Sequence, residues 1–141
     1  MDFSTKQHAL TSGLVEFQDW PSPKFFVYNH KPNIDKPLFL NPKDVKNLIE
    51  LLPKWQEMLK ETQTFVDSNF EHELPTPATV VQLEKSKIQL MIQTYNSKAY
   101  LWLKLFYLSY SGQWLPGKGG VMISYEDDAF ELKTFVNKCL A

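Results

Sequence analysis

The sequence contains no arginine, and each of its 15 basic residues is a lysine. Lysine is a point charge and lacks the planar fork with which arginine reads the edge of a guanine base. If the protein binds nucleic acid, we therefore expect contacts to the backbone and base stacking rather than readout of base edges. An AT-rich genome explains the same bias equally well.

Cysteine and long apolar segments are also scarce. Cys139 is the single cysteine, which excludes an internal disulfide and a zinc site built from cysteines. No apolar run approaches the roughly 20 residues of a membrane span, and the first ten residues lack the apolar region of a secretory signal. We therefore expect an intracellular protein, in the nucleus or the cytoplasm, without a membrane partner.

Motifs that define enzymes are missing as well. The segment from Gly112 to Lys118 has nearly the spacing of a P-loop, but Gly119 stands where a P-loop has Ser or Thr. The cluster Glu71-His72-Glu73 has no complementary histidines, so we interpret it as part of a solvated linker over 69–77. We expect no catalytic activity, no cofactor and no metal site.

The composition that remains is that of a globular protein with an uneven charge distribution. The chain has 141 residues, of which 43% are hydrophobic and 14% aromatic, and its net charge is −1. Residues 1–84 contain eight lysines and twelve acidic residues, whereas residues 85–125 contain five lysines and no acidic residue. A near-neutral chain thus includes one basic segment, which is also rich in tyrosine and tryptophan.

In both halves of the chain, the sequence predicts strands followed by a capped helix. Residues 14–17, 24–28 and 38–40 favour strands, and Asn41-Pro42 predicts a helix start, with a kink or break at Pro53. In the second half, the segment 116–120 is typical of a turn. Ser124 and Asp127 form a capping signal for a final helix from about residue 126, which carries Cys139 on its apolar face.

Two runs of alternating residues, 88–93 and 99–106, predict a β-hairpin with Asn96-Ser97 as its turn. Because side chains alternate across a strand, one face of this hairpin is apolar and the other contains no acid. The second face consists of Lys87, Gln89, Met91, Gln93, Tyr95, Lys98, Tyr100, Trp102, Lys104 and Phe106. Such a face suits stacking on bases and contacts to phosphates, but it also suits burial under another layer or a dimer interface.

Residues 83–140 resemble the single-stranded-DNA-binding domain of the positive cofactor four family of transcriptional coactivators. The resemblance runs through the hairpin 93–98, the apolar strand 99–107, the Pro-Gly-Lys-Gly-Gly segment 116–120 and the passage 121–124. It implies an α+β fold in which antiparallel sheets are each followed by a packed helix. Because 36–42 is similar to the family's strand-to-helix junction, residues 1–70 are expected to be a degenerate copy of the DNA-binding half, 78–141.

The resemblance also implies functional residues. Tyr95 and Tyr107 match aromatic positions of the family, and Lys98, Lys104 and Lys118 match basic ones. Together with the hairpin face, this yields seven candidate nucleic-acid-binding residues: Lys87, Tyr95, Lys98, Trp102, Lys104, Tyr107 and Lys118. The expected function is non-catalytic binding of single-stranded DNA or RNA in transcription or replication, with the transcription machinery as a further partner.

Departures from the family keep an alternative open. Gln93 and Asn96 stand where the family usually has basic residues, Trp102 stands where an acid is common, and the net charge is −1. The rival hypothesis is therefore a structural or protein-interaction module that kept the fold and lost nucleic-acid binding. The family works as a dimer, so we expect either a homodimer or an intramolecular pseudo-dimer, and a small arginine-free member suits a viral or parasite genome.

Overall fold

The computed structural model describes residues 5–29, 37–71 and 73–141, except for the side chains of residues 118 and 119. Sheet 1 consists, in order, of β1 (Thr5–Leu10), β2 (Gly13–Gln18), β3 (Lys24–Asn29) and β4 (Leu38–Leu40), followed by helix α1 (Pro42–Asp67). Sheet 2 consists of β5 (Ala78–Gln82), β6 (Ser86–Tyr95), β7 (Lys98–Leu108) and β8 (Trp114–Ile123), followed by helix α2 (Ala129–Leu140). All neighbouring strands are antiparallel, which confirms the α+β class.

Three strands of sheet 1 lie where the sequence predicts strands. The segments 14–17, 24–28 and 38–40 fall in β2, β3 and β4. Strand β1 has no such signal, because Leu10 is the only one of its six side chains that is buried. An edge strand with one buried side chain lacks the alternation of apolar and polar residues that marks a half-buried strand.

Helix α1 begins as the sequence predicts. The side-chain oxygen of Asn41 accepts a hydrogen bond from the backbone N–H of Asp44 at 2.9 Å, and Pro42 occupies the first helical position. The predicted break at Pro53 does not occur, since the helix continues to Asp67. Buried side chains lie on both sides of the proline, and their packing outweighs its cost of about 3 kcal/mol.

One hydrophobic core joins the two halves of the chain. Helix α1 follows sheet 1 but packs chiefly against β7 of sheet 2 and against α2, while α2 contacts β1. The sheets meet where β3 lies beside β8. A Cβ atom on Gly13 would collide with the carbonyl oxygen of Tyr28 and come within 3.0 Å of Cγ2 of Val121. Glycine at position 13 therefore permits this close approach.

The turn predicted at 116–120 is wrong, because this segment lies inside β8. Lys104 pairs with Gly120 and Phe106 pairs with Pro116, so β8 uses more residues than β7 over the same distance. The extra residues form a bulge, in which glycines avoid crowding against the neighbouring strand. The Pro-Gly-Lys-Gly-Gly segment thus bends a strand instead of ending one.

The predicted cap of the last helix is also wrong. Helix α2 begins later than residue 126, and its N-cap is Asp128, whose side chain accepts a hydrogen bond from the N–H of Phe130 at 2.8 Å. Ser124 and Asp127 instead close a turn in front of the helix, where Ser124 N–H donates to Asp127 Oδ2 at 2.9 Å. Asp128 and Glu131 have the same spacing as Ser124 and Asp127, so the pattern alone does not select the capping residue.

Asp127 also links the second half of the chain to the first through hydrogen bonds. Its Oδ1 accepts hydrogen bonds from the backbone N–H and the hydroxyl of Thr11, at 2.8 and 3.0 Å. The side-chain amide of Gln56, in α1, donates to the backbone carbonyl of Asp127 at 2.7 Å. The β1–β2 turn, helix α1 and the start of α2 are therefore held in one arrangement.

Candidate nucleic-acid interface

Sheet 2 has one side against the core, and we call the opposite side the outer face of sheet 2. The hairpin register is the predicted one, with Tyr95 opposite Lys98 and Met91 opposite Trp102. The ten predicted side chains therefore share this face. By register, the flanking strands add Thr79 and Gln82 from β5, and Trp114, Pro116, Gly120 and Met122 from β8. Among the described residues of the face, none is acidic.

The hairpin tip is a two-residue turn held by helix α1. Asn96 and Ser97 have φ angles of 51° and 63°, as the two-residue turn of a right-twisted hairpin requires. The side chain of Gln63, in α1, makes two hydrogen bonds to the backbone of the turn. Its Oε1 accepts from Ala99 N–H at 2.7 Å, and its Nε2 donates to the Ser97 carbonyl at 3.3 Å. Tyr95, 60% exposed, is presented beside this turn.

Two lysines of the outer face lie over tryptophan rings. The Nζ atom of Lys87 is 4.4 Å from the ring centroid of Trp114, and Nζ of Lys104 is 5.1 Å from that of Trp102. Both distances fall within the range of cation–π attraction. The sequence pattern missed Trp114, because its place on the face depends on the bulged pairing of β8 with β7.

Gly120 makes room for the indole of Trp102. A Cβ atom at position 120 would lie 3.1 Å from Nε1 of Trp102 and 3.2 Å from the carbonyl oxygen of Leu103. The half-buried indole therefore lies along the surface of β8 instead of standing clear of the sheet. Because Nζ of Lys104 lies over this ring, the indole and the ammonium group are presented together.

Tyr107 does not join this group, and the side chain of Lys118 is not among those that the structure describes. Tyr107 is 46% exposed, but its alternation along β7 puts it on the same side as Leu103, the side that faces the core. Lys118 falls within β8, and its side chain lies outside the described residues. Lys98 is exposed, whereas Lys87, Trp102 and Lys104 are half-buried.

Sheet 1 also has a side turned away from the core, which we call the outer face of sheet 1. Its described residues, by register, are Thr5, Gln7, Ala9, Leu14, Glu16, Gln18, Lys24, Phe26, Tyr28 and Phe39. Phe26 has its ring centroid 5.8 Å from that of Phe39, and Nζ of Lys24 lies 5.7 Å from the ring of Phe26. This face therefore repeats the combination of aromatic rings and lysine.

Glu16 distinguishes the outer face of sheet 1 from that of sheet 2. Its Oε1 accepts a hydrogen bond from Gln7 at 3.0 Å, and its Oε2 accepts from Gln18 at 3.0 Å and from the Tyr28 hydroxyl at 3.1 Å. Burial raises the pKa of Glu16, but these hydrogen bonds outweigh it, so the net pKa is lowered. Burial, the hydrogen bond and the charge of Glu16 raise the pKa of Tyr28. A stable negative charge therefore lies on this face.

Other classes of site find no support in the described part of the chain. Within residues 5–29, 37–71 and 73–141, no group of His, Cys, Asp and Glu side chains could hold a metal ion. None of the helices in these ranges has the length and apolarity to span a membrane. Cys139 packs partly buried against the core, and burial raises the pKa of its thiol, with a smaller opposing effect from Lys6. His72, part of the acidic cluster, lies outside the described residues.

The fold defines an α+β protein in which two antiparallel sheets, each followed by a helix, share one core. Comparison with models of protein families gives no match for this chain, and comparison with curated proteins gives none either. The resemblance to the positive cofactor four family therefore stays a prediction.

Proposed function

We propose that this protein binds single-stranded nucleic acid on the outer face of sheet 2 without catalysing a reaction. The observation that supports this most directly is the pairing of lysine with tryptophan at Lys87–Trp114 and Lys104–Trp102. A ring beside an ammonium group suits a nucleotide, because the base stacks on the ring while the phosphate meets the charge. Each stacked base contributes roughly 1–3 kcal/mol.

Tyr95 and Lys98 extend this arrangement to the hairpin tip, where they are directly opposite each other. Stacking on Tyr95, Trp102 and Trp114 requires an unpaired base, since the rings of a duplex are already stacked. Lysines bind phosphates without reading sequence. The proposed binding is therefore selective for single strands and tolerant of base sequence, as expected of a protein acting in transcription or replication.

Oligomeric state is part of the same proposal. In this chain α1 and α2 contact each other, and the resemblance implies a dimer with paired helices. We propose that the two halves form an intramolecular pseudo-dimer, so that one chain is sufficient for binding. Light scattering coupled to gel filtration is expected to give a mass near 16.5 kDa, and twice that mass would instead favour a homodimer.

The rival function is a module for protein assembly. It is favoured by the half-buried rings of Tyr100, Trp102 and Phe106, which form an apolar strip on the outer face of sheet 2. Such a strip also suits contact with another protein. The two functions differ in their response to salt, because binding to phosphates weakens steeply as salt is added and burial of an apolar interface does not.

The test is fluorescence anisotropy with labelled oligonucleotides of about 20 nucleotides. This length covers one or a few binding sites of known single-strand-binding proteins. Oligo-dT, oligo-rU and a duplex of equal length are compared at low salt. Stacking and phosphate contacts are available in both DNA and RNA. The affinities for oligo-dT and oligo-rU therefore show which of the two nucleic acids the protein prefers. Binding of a single strand with weaker binding of the duplex supports the proposal; no binding of either single strand contradicts it.

A further inference from the structure

A cleft of about 350 Å³ lies between the β4–α1 junction and the β5–β6 hairpin. Phe39 lines it from the outer face of sheet 1, and Lys87 lines it from the outer face of sheet 2. Leu83, in the β5–β6 turn, and Asp44, in the first turn of α1, also contribute. Each outer face therefore supplies one lining residue, while Leu38, Ile88 and Leu105 line the cleft from the core side of the sheets.

We propose that this cleft extends the nucleic-acid site, so that a single strand bound to sheet 2 continues past Lys87, over Phe39, and on to sheet 1. The inference rests on the proposed function and adds a second, separate length of binding surface. The occupant is the same single strand, because Lys87, which lines the cleft, also belongs to a lysine–tryptophan pair of the outer face of sheet 2.

The chemistry of the cleft suits a nucleotide. Phe39 is 55% exposed, although it is a large aromatic residue in a strand whose other two side chains are buried. Its ring and the exposed Leu83 offer apolar contact to a base. Lys87 lines the cleft, but its Nζ lies over Trp114, so its charge meets a phosphate on the outer face of sheet 2 and not in the cleft itself. Asp44 repels phosphate, so the bases, and not the phosphates, are expected to point toward α1.

Beyond the cleft, the combination of ring and lysine recurs on sheet 1. The ring of Phe39 is 5.8 Å from that of Phe26, over which Nζ of Lys24 lies at 5.7 Å. Glu16 is the direct strand partner of Phe26. Its charge opposes phosphate, so the proposed path ends at β3 and does not cross the whole of sheet 1.

The test compares a short and a long oligo-dT, of about 6 and about 20 nucleotides; known single-strand sites span about 4–16 nucleotides, so the long one exceeds a single site. The variant is Phe39→Ala. Its matched control is Phe130→Ala, which removes a ring that is 70% exposed on α2 and away from both outer faces. Both side chains are exposed, so both variants are expected to fold, and circular dichroism checks this.

The extended site predicts that Phe39→Ala weakens binding of the long oligonucleotide by about 5-fold to 100-fold. Binding of the short one, which fits on sheet 2 alone, should stay unchanged, as should both affinities of Phe130→Ala. Equal affinity of wild type and Phe39→Ala for the long strand would overturn the extension while leaving the proposed function intact. Failure of wild type to bind either strand would overturn both.

A charge reversal at the far end supplies a second, independent test. Lys24→Glu should weaken binding of the long strand and leave the short strand unaffected, because only the long strand reaches β3. Lys98→Glu, at the hairpin tip, should weaken both. If Lys24→Glu binds the long strand as wild type does, the strand does not reach sheet 1 and the inference is wrong.

Discussion

Reversing the charge of two lysines on the outer face of sheet 2 should abolish most of the salt dependence of nucleic-acid binding. The double variant is Lys98→Glu/Lys104→Glu. Three lysines with described side chains belong to this face, the third being Lys87. For single strands, the slope of log affinity against log salt is about −0.7 for each phosphate that is neutralised.

The magnitude follows from this count. Three contacts give a slope of about −2, or roughly a 20-fold loss of affinity between about 50 and 200 mM salt. The double variant keeps Lys87 alone, so its slope should be about −0.7 and its loss about 3-fold over the same range. If Lys118, or Lys24 on a long strand, also contacts phosphate, both slopes steepen by about 0.7 for each such contact and their difference is unchanged.

The assay is anisotropy of labelled oligo-dT, titrated at several salt concentrations. The matched control is Lys54→Glu/Lys133→Glu, which makes the same change in net charge at exposed positions of α1 and α2. The control should keep the wild-type slope. A slope that is equal in wild type and both double variants would refute the assignment of these lysines to phosphate.

Three further outcomes are expected. Trp102→Ala should weaken binding of oligo-dT by about 5-fold to 100-fold through loss of one stacking ring; an affinity equal to that of wild type, with the fold retained by circular dichroism, would count against stacking there. Gly13→Ala should destabilise the protein by about 1–3 kcal/mol, because its Cβ collides with the carbonyl of Tyr28; an unchanged Tm would contradict the close packing of Gly13 against β3. Tyr28→Phe removes a donor to Glu16 and should lower stability near neutral pH. Because the folded pKa of Glu16 is lowered, this contribution is present above its unfolded pKa and disappears as pH falls through the folded pKa. Chemical denaturation at several pH values should therefore show a deficit that shrinks in acid, and a deficit independent of pH would contradict it.

The hairpin of sheet 2 was accessible from the sequence because its signals are local. Strict alternation over 88–93 and 99–106, with Asn96-Ser97 between them, defines both the register and the two faces. The start of α1 is equally local, since Asn41 and Pro42 act on the first helical turn. Where the residues that determine an element lie within one short segment, the sequence pattern is sufficient to predict that element.

The missed features depend on contacts between distant segments. Trp114 joins the outer face only through the bulge in β8, and Gln63 reaches the hairpin tip only because α1 packs on β7. Pro53 stays helical because the packing on both sides of it outweighs a local penalty. The cleft with Phe39 combines the two halves of the chain, and neither half alone predicts it.

The most direct test of the central claim is photochemical crosslinking of the wild-type protein to single-stranded DNA that carries 5-iodouracil, with the crosslinked residues identified by mass spectrometry. Stacked aromatic rings crosslink efficiently to this base. Binding on the outer face of sheet 2 predicts crosslinks to Tyr95, Trp102 and Trp114. Crosslinks confined to side chains on α1 and α2, such as Phe130, would contradict the claim.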